Sequence, residues 1–307
     1  MITSFFNKSK PINFVIVFFI TLLAFIAART NVPAAEFTWG FVFKLILLLF
    51  VAYTSILLLN FIVEKNNLTQ KSNYEILLFS LFLLTIVETT TDYRVLLSNF
   101  FILLALRRIL SIRSQKAIKN KYFDAALWIA LASLFYFWAI LFFVLIVASL
   151  ILYVDKNIRH WIIPFIGMAT VFVITVVASI LCYDTYFALF NVSYRVNYDY
   201  SLYDSISFLI GITMLVSFGL WSLLFYIQDI VKAKKANRAS LKIVVLLVFV
   251  AAFVVIFAPN KNGSEFLFLY APLAIVISNY IETLQDKWFK EVFVLLLFLV
   301  PFVLLML

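Results

Sequence analysis

The chain has 307 residues, 65% of them hydrophobic and 13% charged, with a formal net charge of +9. Globular chains are about 45–50% apolar and about 25% charged, so a soluble domain is excluded, having no means of hiding this much apolar surface. A single cysteine (Cys182) and a single histidine (His160) exclude an internal disulfide and CxxC or multi-histidine metal sites, and no metal or other cofactor is expected.

Apolar runs reach or approach the ~20 residues that cross a ~30 Å hydrocarbon core, without the alternation of barrel strands. Helices are expected at 12–28, 41–63, 74–88, 95–106, 123–137, 139–154, 161–181, 205–228, 241–258, 265–282 and 291–307. The first follows Lys8 and Lys10 and lacks a small-residue cleavage site before Arg29, so it reads as a retained helix and not a signal peptide. The expected fold is an all-α polytopic membrane protein of about 11 transmembrane helices, forming a single transmembrane domain over 1–307.

The segment 123–154 is too long for one comfortable span and short for two. Basic residues decide for a short helical hairpin. With two crossings, all of the 24 Lys and Arg except Arg29, Lys44, Arg94, Arg195 and Lys261 fall on one side, as the positive-inside rule requires. Each arm would span about 22 Å at 1.5 Å per residue. The N-terminus is then expected in the cytoplasm and the C-terminus in the periplasm, with the chain in the inner membrane. Clustering of the positive charge in loops between spans accounts for the basic balance, and no nucleic-acid partner is expected.

Between the apolar runs 76–87 and 95–106 stands ETTTDYRV, which holds Glu88, Asp92 and Arg94. One reading is a polar turn in which Thr and Asp cap the following helix. The other is a cavity at the outer surface. There Glu88 or Asp92 would take a proton from an acceptor hydroxyl, and Arg94 would hold a phosphate through its planar fork. Glu88 ends an apolar span, where an ionisable group points to function. Glu36 is the sole acid of the first outer loop, RTNVPAAEFTWG, which also reads as an interfacial turn anchored by Trp39. The loop 182–204 sets Arg195 and Asp199 among six tyrosines, a mixture that more often reflects ordinary loop solvation but that would also suit stacking and hydrogen-bonding a sugar. PNKNGSEF at 259–266 has turn chemistry in Pro259, Asn262 and Gly263 and reads as a turn alone.

FDAALWIALASLFYFWAILFFVLIVASLILY at 123–153 resembles the paired short helices of GT-C-type membrane glycosyltransferases. EFLFLYAPLAIVISNY at 265–280 resembles their later R-Y-l-l-P-l-a helix, with Tyr270 and Pro272 matching. The start MITSFFNKSKPINFVI, with the chain length, also resembles an uncharacterised family of Bacteroidota integral membrane proteins. The GT-C resemblance implies transfer of a sugar from a polyprenyl-phosphate donor to an acceptor on the outer face. Glu36, Glu88 and Asp92 are its catalytic candidates, and Arg94, Arg195, Asp199 and Tyr270 its substrate-binding ones. Membrane lipids and a polyprenyl-linked sugar are the partners implied. Two alternatives stay open: a non-catalytic subunit scaffolding an envelope assembly with protein partners, and a transporter or flippase of a lipid-linked solute.

Overall fold

In the computed structural model the chain is a helix bundle, described over residues 2–30, 38–70, 72–153, 158–190 and 196–306. In chain order the helices are α1 (Ile2–Phe6), α2 (Pro11–Ala27), α3 (Trp39–Asn66), α4 (Tyr74–Thr85), α5 (Tyr93–Ser111), α6 (Ile118–Phe135), α7 (Phe143–Leu152), α8 (Ile158–Tyr183), α9 (Ile206–Lys232), α10 (Lys235–Phe257), α11 (Leu267–Thr283) and α12 (Lys287–Leu304). No strand occurs among the described residues.

Six segments are long and apolar enough to cross a membrane among the described residues: α3, α5 with its following turn, α8, α9, α10, and α11 with the turn before it. Shorter apolar helices run over Pro11–Ala27, Tyr74–Thr85 and Phe137–Leu152. The chain is therefore a multi-pass membrane protein. Its outer surface agrees: α8 presents Ile162, Phe165, Ile166, Phe172, Val173 and Ile174, all more than half exposed, which water would not tolerate and lipid chains solvate.

The centre of the bundle is α4 against α11. All 12 residues of α4 are buried, and 13 of the 17 in α11. A helix apolar all round belongs inside, and α4 is enclosed by α2, α3, α11 and α12. Phe79 and Phe82 of α4 meet the ring of Tyr270 with centroids 6.0 and 5.7 Å away. From this centre α3, α5, α6 and α8 pack side by side. Gly167 of α8 permits the close approach to α6, since a Cβ there would lie 2.8 Å from the Phe123 carbonyl oxygen.

The hairpin differs in detail from the sequence expectation. Its first arm ends at Phe135, Tyr136 is extended, and the return begins with a 3-10 segment, Phe137–Phe142, before α7. The crowded aromatic run Phe135–Trp138 favours the break, because bulky side chains lose χ1 freedom in a helix. At the far end of α7, the Tyr153 hydroxyl hydrogen-bonds Ser240 of α10 at 3.1 Å.

Helix ends also extend past the apolar runs. α10 starts at Lys235, six residues before the expected 241, because Lys-Ala-Asn-Arg-Ala-Ser contains good helix formers and lies at a polar end. There Arg238 donates to Ala233 O (2.9 Å) and Val231 O, satisfying carbonyls at the C-terminus of α9. Similarly, α3 runs to Asn66 and is closed by Asn67 in the left-handed region, with Leu68 N–H donating to Val63 O at 3.1 Å.

Candidate functional site

The ETTTDYRV octet joins α4 to α5 by a 3-10 turn, Val87–Thr90. Its threonines build the turn. Thr89 donates to Ile86 O (2.7 Å), Thr90 to Val87 O (2.9 Å) and Thr91 to Glu88 O (2.7 Å). Asp92 caps α5, accepting from Arg94 N–H at 2.8 Å. Arg29, just beyond α2, ties the turn down by donating to Thr90 O at 2.7 Å and to Thr90 Oγ1 at 3.2 Å.

Glu88 is the acid of the octet that faces a hollow. It is half-buried and lines a cavity of about 230 Å³ with Ala27, Thr30, Phe208 and Leu304, so that α2, α9 and α12 supply mostly apolar walls. Burial pushes its carboxyl up from the ordinary carboxylate value, an effect its own backbone hydrogen bond partly offsets. A second carboxylate arrives from the turn before α11. Glu265 is fully buried and accepts a hydrogen bond from the Tyr203 hydroxyl, while its Oε2 has no hydrogen bond of good geometry. Tyr203 stacks on Phe208 with ring centroids 5.5 Å apart.

Gly263 makes this convergence possible. Its φ is +86°, and a Cβ there would stand 2.8 Å from the Phe208 ring and 3.4 Å from the Glu88 Cβ. Only glycine takes that backbone conformation at such close quarters without strain. Around the two glutamates are further polar groups. Tyr270 interacts with Thr89 and feels the charges of Glu88 and Glu265, and Tyr136 at the hairpin tip feels Glu265 and Asp92. Lys261, nearly fully buried, donates to Val255 O at 2.7 Å and lies over the Tyr200 ring at 4.8 Å. It thus caps the C-terminus of α10, and burial lowers its proton affinity.

Of the residues singled out in the sequence, Glu88, Asp92 and Tyr270 come together here. Arg94 does not join them. Its guanidinium is exposed, folded over the Tyr93 ring (5.7 Å) with Nε donating to the Tyr93 hydroxyl (3.2 Å). Asp199 is exposed in a local turn, accepting from Ser201 N–H at 3.0 Å, and its bonds with Ser201 hold it below the ordinary carboxylate value. Glu36 and Arg195 lie outside the described residues.

Glu265 overturns the reading of PNKNGSEF as a turn alone. The available signal was a lone carboxylate directly preceding an apolar run, the same signal that marked Glu88. Tyr203 and Arg29 had none, since their partners are 62 and 61 residues away in sequence. Sequence reasoning also missed Glu75, in the first turn of α4 at the other end of the central pair. It is fully buried, its carboxylate oxygens lack good hydrogen bonds, and Ser278 and Glu282 of α11 interact with it.

A carboxylate of raised proton affinity beside a cavity is equipped to take or give a proton. Among the described residues, no group of three His, Cys, Asp or Glu is placed to hold a metal ion. No curated protein and no solved structure matches the chain. A family model matches residues 4–307, nearly the whole length, and the chain belongs to that family, described as a family of unknown function (DUF6427).

Proposed function

We propose that the chain is a membrane glycosyltransferase that uses the Glu88 end of the bundle to move a sugar from a polyprenyl-phosphate donor to an acceptor. The single observation supporting it most is Glu88 itself: a half-buried carboxylate on a cavity with mostly apolar walls, packed against the Gly263 turn that leads into the buried Glu265. Eleven crossings in a GT-C-like arrangement belong to the same proposal. So do a cytoplasmic N-terminus, a periplasmic C-terminus and residence in the inner membrane, as the positive-inside rule favours.

In this reading Glu88 is the general base. It accepts the proton of an acceptor hydroxyl as that oxygen attacks the anomeric carbon. The bond from that carbon to the phosphate oxygen breaks, and polyprenyl phosphate leaves with the electron pair. Glu265 and Tyr203 do not touch the acceptor; they brace the loop holding Gly263 against Glu88. Asp92 acts through its cap on α5 and is a positioning residue. Arg94, at the polar surface, is free to swing from Tyr93 toward the leaving phosphate. Small-molecule sites occupy about 300–1,000 Å³, more than this cavity, so α2, α9 and α12 must part at their ends to admit the sugar.

A second reading, a non-catalytic scaffold in an envelope assembly, is favoured by the turn-building role of every threonine in the octet and of Asp92. Complementation of a deletion strain separates the two. The transferase reading predicts that Glu88→Gln fails at normal protein level while Asp92→Asn and Arg94→Ala are impaired. Full complementation by all three would leave the scaffold.

A further inference from the structure

We infer that the opposite end of the bundle carries a binding site for the phosphate headgroup of an anionic phospholipid. A cavity of about 400 Å³ opens there between the C-terminal ends of α3 and α5 and the first turn of α6. Five cations line it: Lys65, Arg107, Arg108, Arg113 and Lys121. Arg108 pairs with Asp124 at 3.1 Å. Arg113 donates to Asn66 O at 3.1 Å, and Lys121 donates to Ser111 O and to Ser114 Oγ, the latter at 2.6 Å. These bonds fix Arg108, Arg113 and Lys121 around the hollow, and those of Arg113 and Lys121 go to neutral oxygens that leave their charge in place. Lys121 also feels the repulsion of Lys65 and Arg108, which a bound anion would relieve.

Folding a charged loop into a concave cradle takes unusual backbone. Gln115 and Ala117 have φ of 54° and 48°, and Ala117 gains nothing there from its side chain. Those two residues turn the chain so that α6 starts with Lys121 reaching back to Ser111.

Phe61 identifies the anion as a lipid. Its ring is 41% exposed on α3, with Lys65 Nζ 5.1 Å and Arg107 Cζ 5.0 Å from the ring centroid. An apolar ring flanked by two cations beside a basic hollow matches the boundary between headgroup and acyl chain: oxygens on the guanidinium forks, hydrocarbon on the ring. A free phosphate would use the cations and leave Phe61 idle. This site is independent of the transferase reading, lying at the other end of the bundle.

The test uses the full chain, purified in detergent and challenged with phosphatidylglycerol, phosphatidylcholine or inorganic phosphate, with bound lipid counted by native mass spectrometry. Phosphatidylglycerol should be retained in preference to phosphatidylcholine. Lys65→Gln with Arg107→Gln should weaken that retention about tenfold. Phe61→Ala, which spares every charge, should weaken lipid retention and leave any effect of inorganic phosphate on thermal stability unchanged. Lys8→Gln with Lys10→Gln, in the basic turn between α1 and α2, should change neither. Equal retention of the two lipids would overturn the inference, as would equal losses from the two double variants. Phosphate stabilising the protein as strongly as the lipid, with Phe61→Ala inert, would make this a free-anion site.

Discussion

Replacing Tyr203 by Phe removes one oxygen and keeps the ring that stacks on Phe208 and meets the edge of Phe266. The loss falls on Glu265, which is fully buried and whose other carboxylate oxygen already lacks a good hydrogen bond. Stripping a partner from a buried polar group costs about 1–3 kcal/mol, the desolvation the bond had offset. Because the ring stays, no cavity contribution is added, and the whole cost is assignable to the hydroxyl. Reversible denaturant unfolding of the purified protein measures it. A double-mutant cycle with Glu265→Leu isolates the pair, since leucine offers the Tyr203 hydroxyl no acceptor. The expected coupling is of the same order, about 1–3 kcal/mol. A Tyr203→Phe cost within about 0.5 kcal/mol, the range of ordinary surface changes, with additive behaviour in the cycle, would refute the claim that this bond joins the loop to the cluster.

Gly263→Ala should destabilise by more than about 1 kcal/mol, since it adds αL strain at φ +86° to a 2.8 Å clash with the Phe208 ring. Phe208→Leu in that background should recover only part, the strain remaining. Glu88 sets a pH dependence. Its folded-state proton affinity is raised above the ordinary 4.5, so its stabilising share is complete below that pH and is lost as pH rises through the folded-state value. Glu88→Gln should flatten that stretch of an unfolding-versus-pH curve. A transferase using Glu88 as base should gain activity with rising pH along a limb displaced upward from a free carboxylate. In a Cys182→Ser background, Lys119→Cys and Ile158→Cys should react with an impermeant maleimide from the same face of oriented vesicles. Reaction from opposite faces would dismantle the hairpin.

Apolar run length made the helical class and the positions of the helices legible, because hydrocarbon thickness imposes a length that loops do not meet. Boundaries were read short wherever a helix continued into water: the Lys235–Ser240 turns of α10 and the Ile118–Tyr122 start of α6 carry charge, which hydropathy counts as loop. The 3-10 return of the hairpin, Phe137–Phe142, was invisible, since apolar residues look alike whichever hydrogen bond closes the turn. In the candidate site, Glu88 and Asp92 were legible as charges interrupting an apolar pattern. Glu265 carries the same signal, but the turn residues in front of it offer a sufficient local explanation. What no local pattern encodes is which distant groups meet. Tyr203 reaches Glu265 and Arg29 reaches Thr90 only through the packing of α2, α4, α9 and α11. Arg94 looked like an anion clamp by type and place, yet its nearest partner is the ring beside it, a contact available to any exposed Arg following a Tyr.

The central claim is that Glu88 deprotonates an acceptor hydroxyl during sugar transfer, and transfer itself tests it most directly. Purified full-length protein in proteoliposomes would be given polyprenyl-phosphate carrying a labelled sugar, together with acceptor lipid extract. Label should move to acceptor with the wild-type chain and fall by about 100-fold or more with Glu88→Gln at equal reconstitution, the loss expected for a general base. Transfer by Glu88→Gln at the wild-type rate, or no transfer by the wild-type chain under conditions where it complements the deletion strain, would contradict the account.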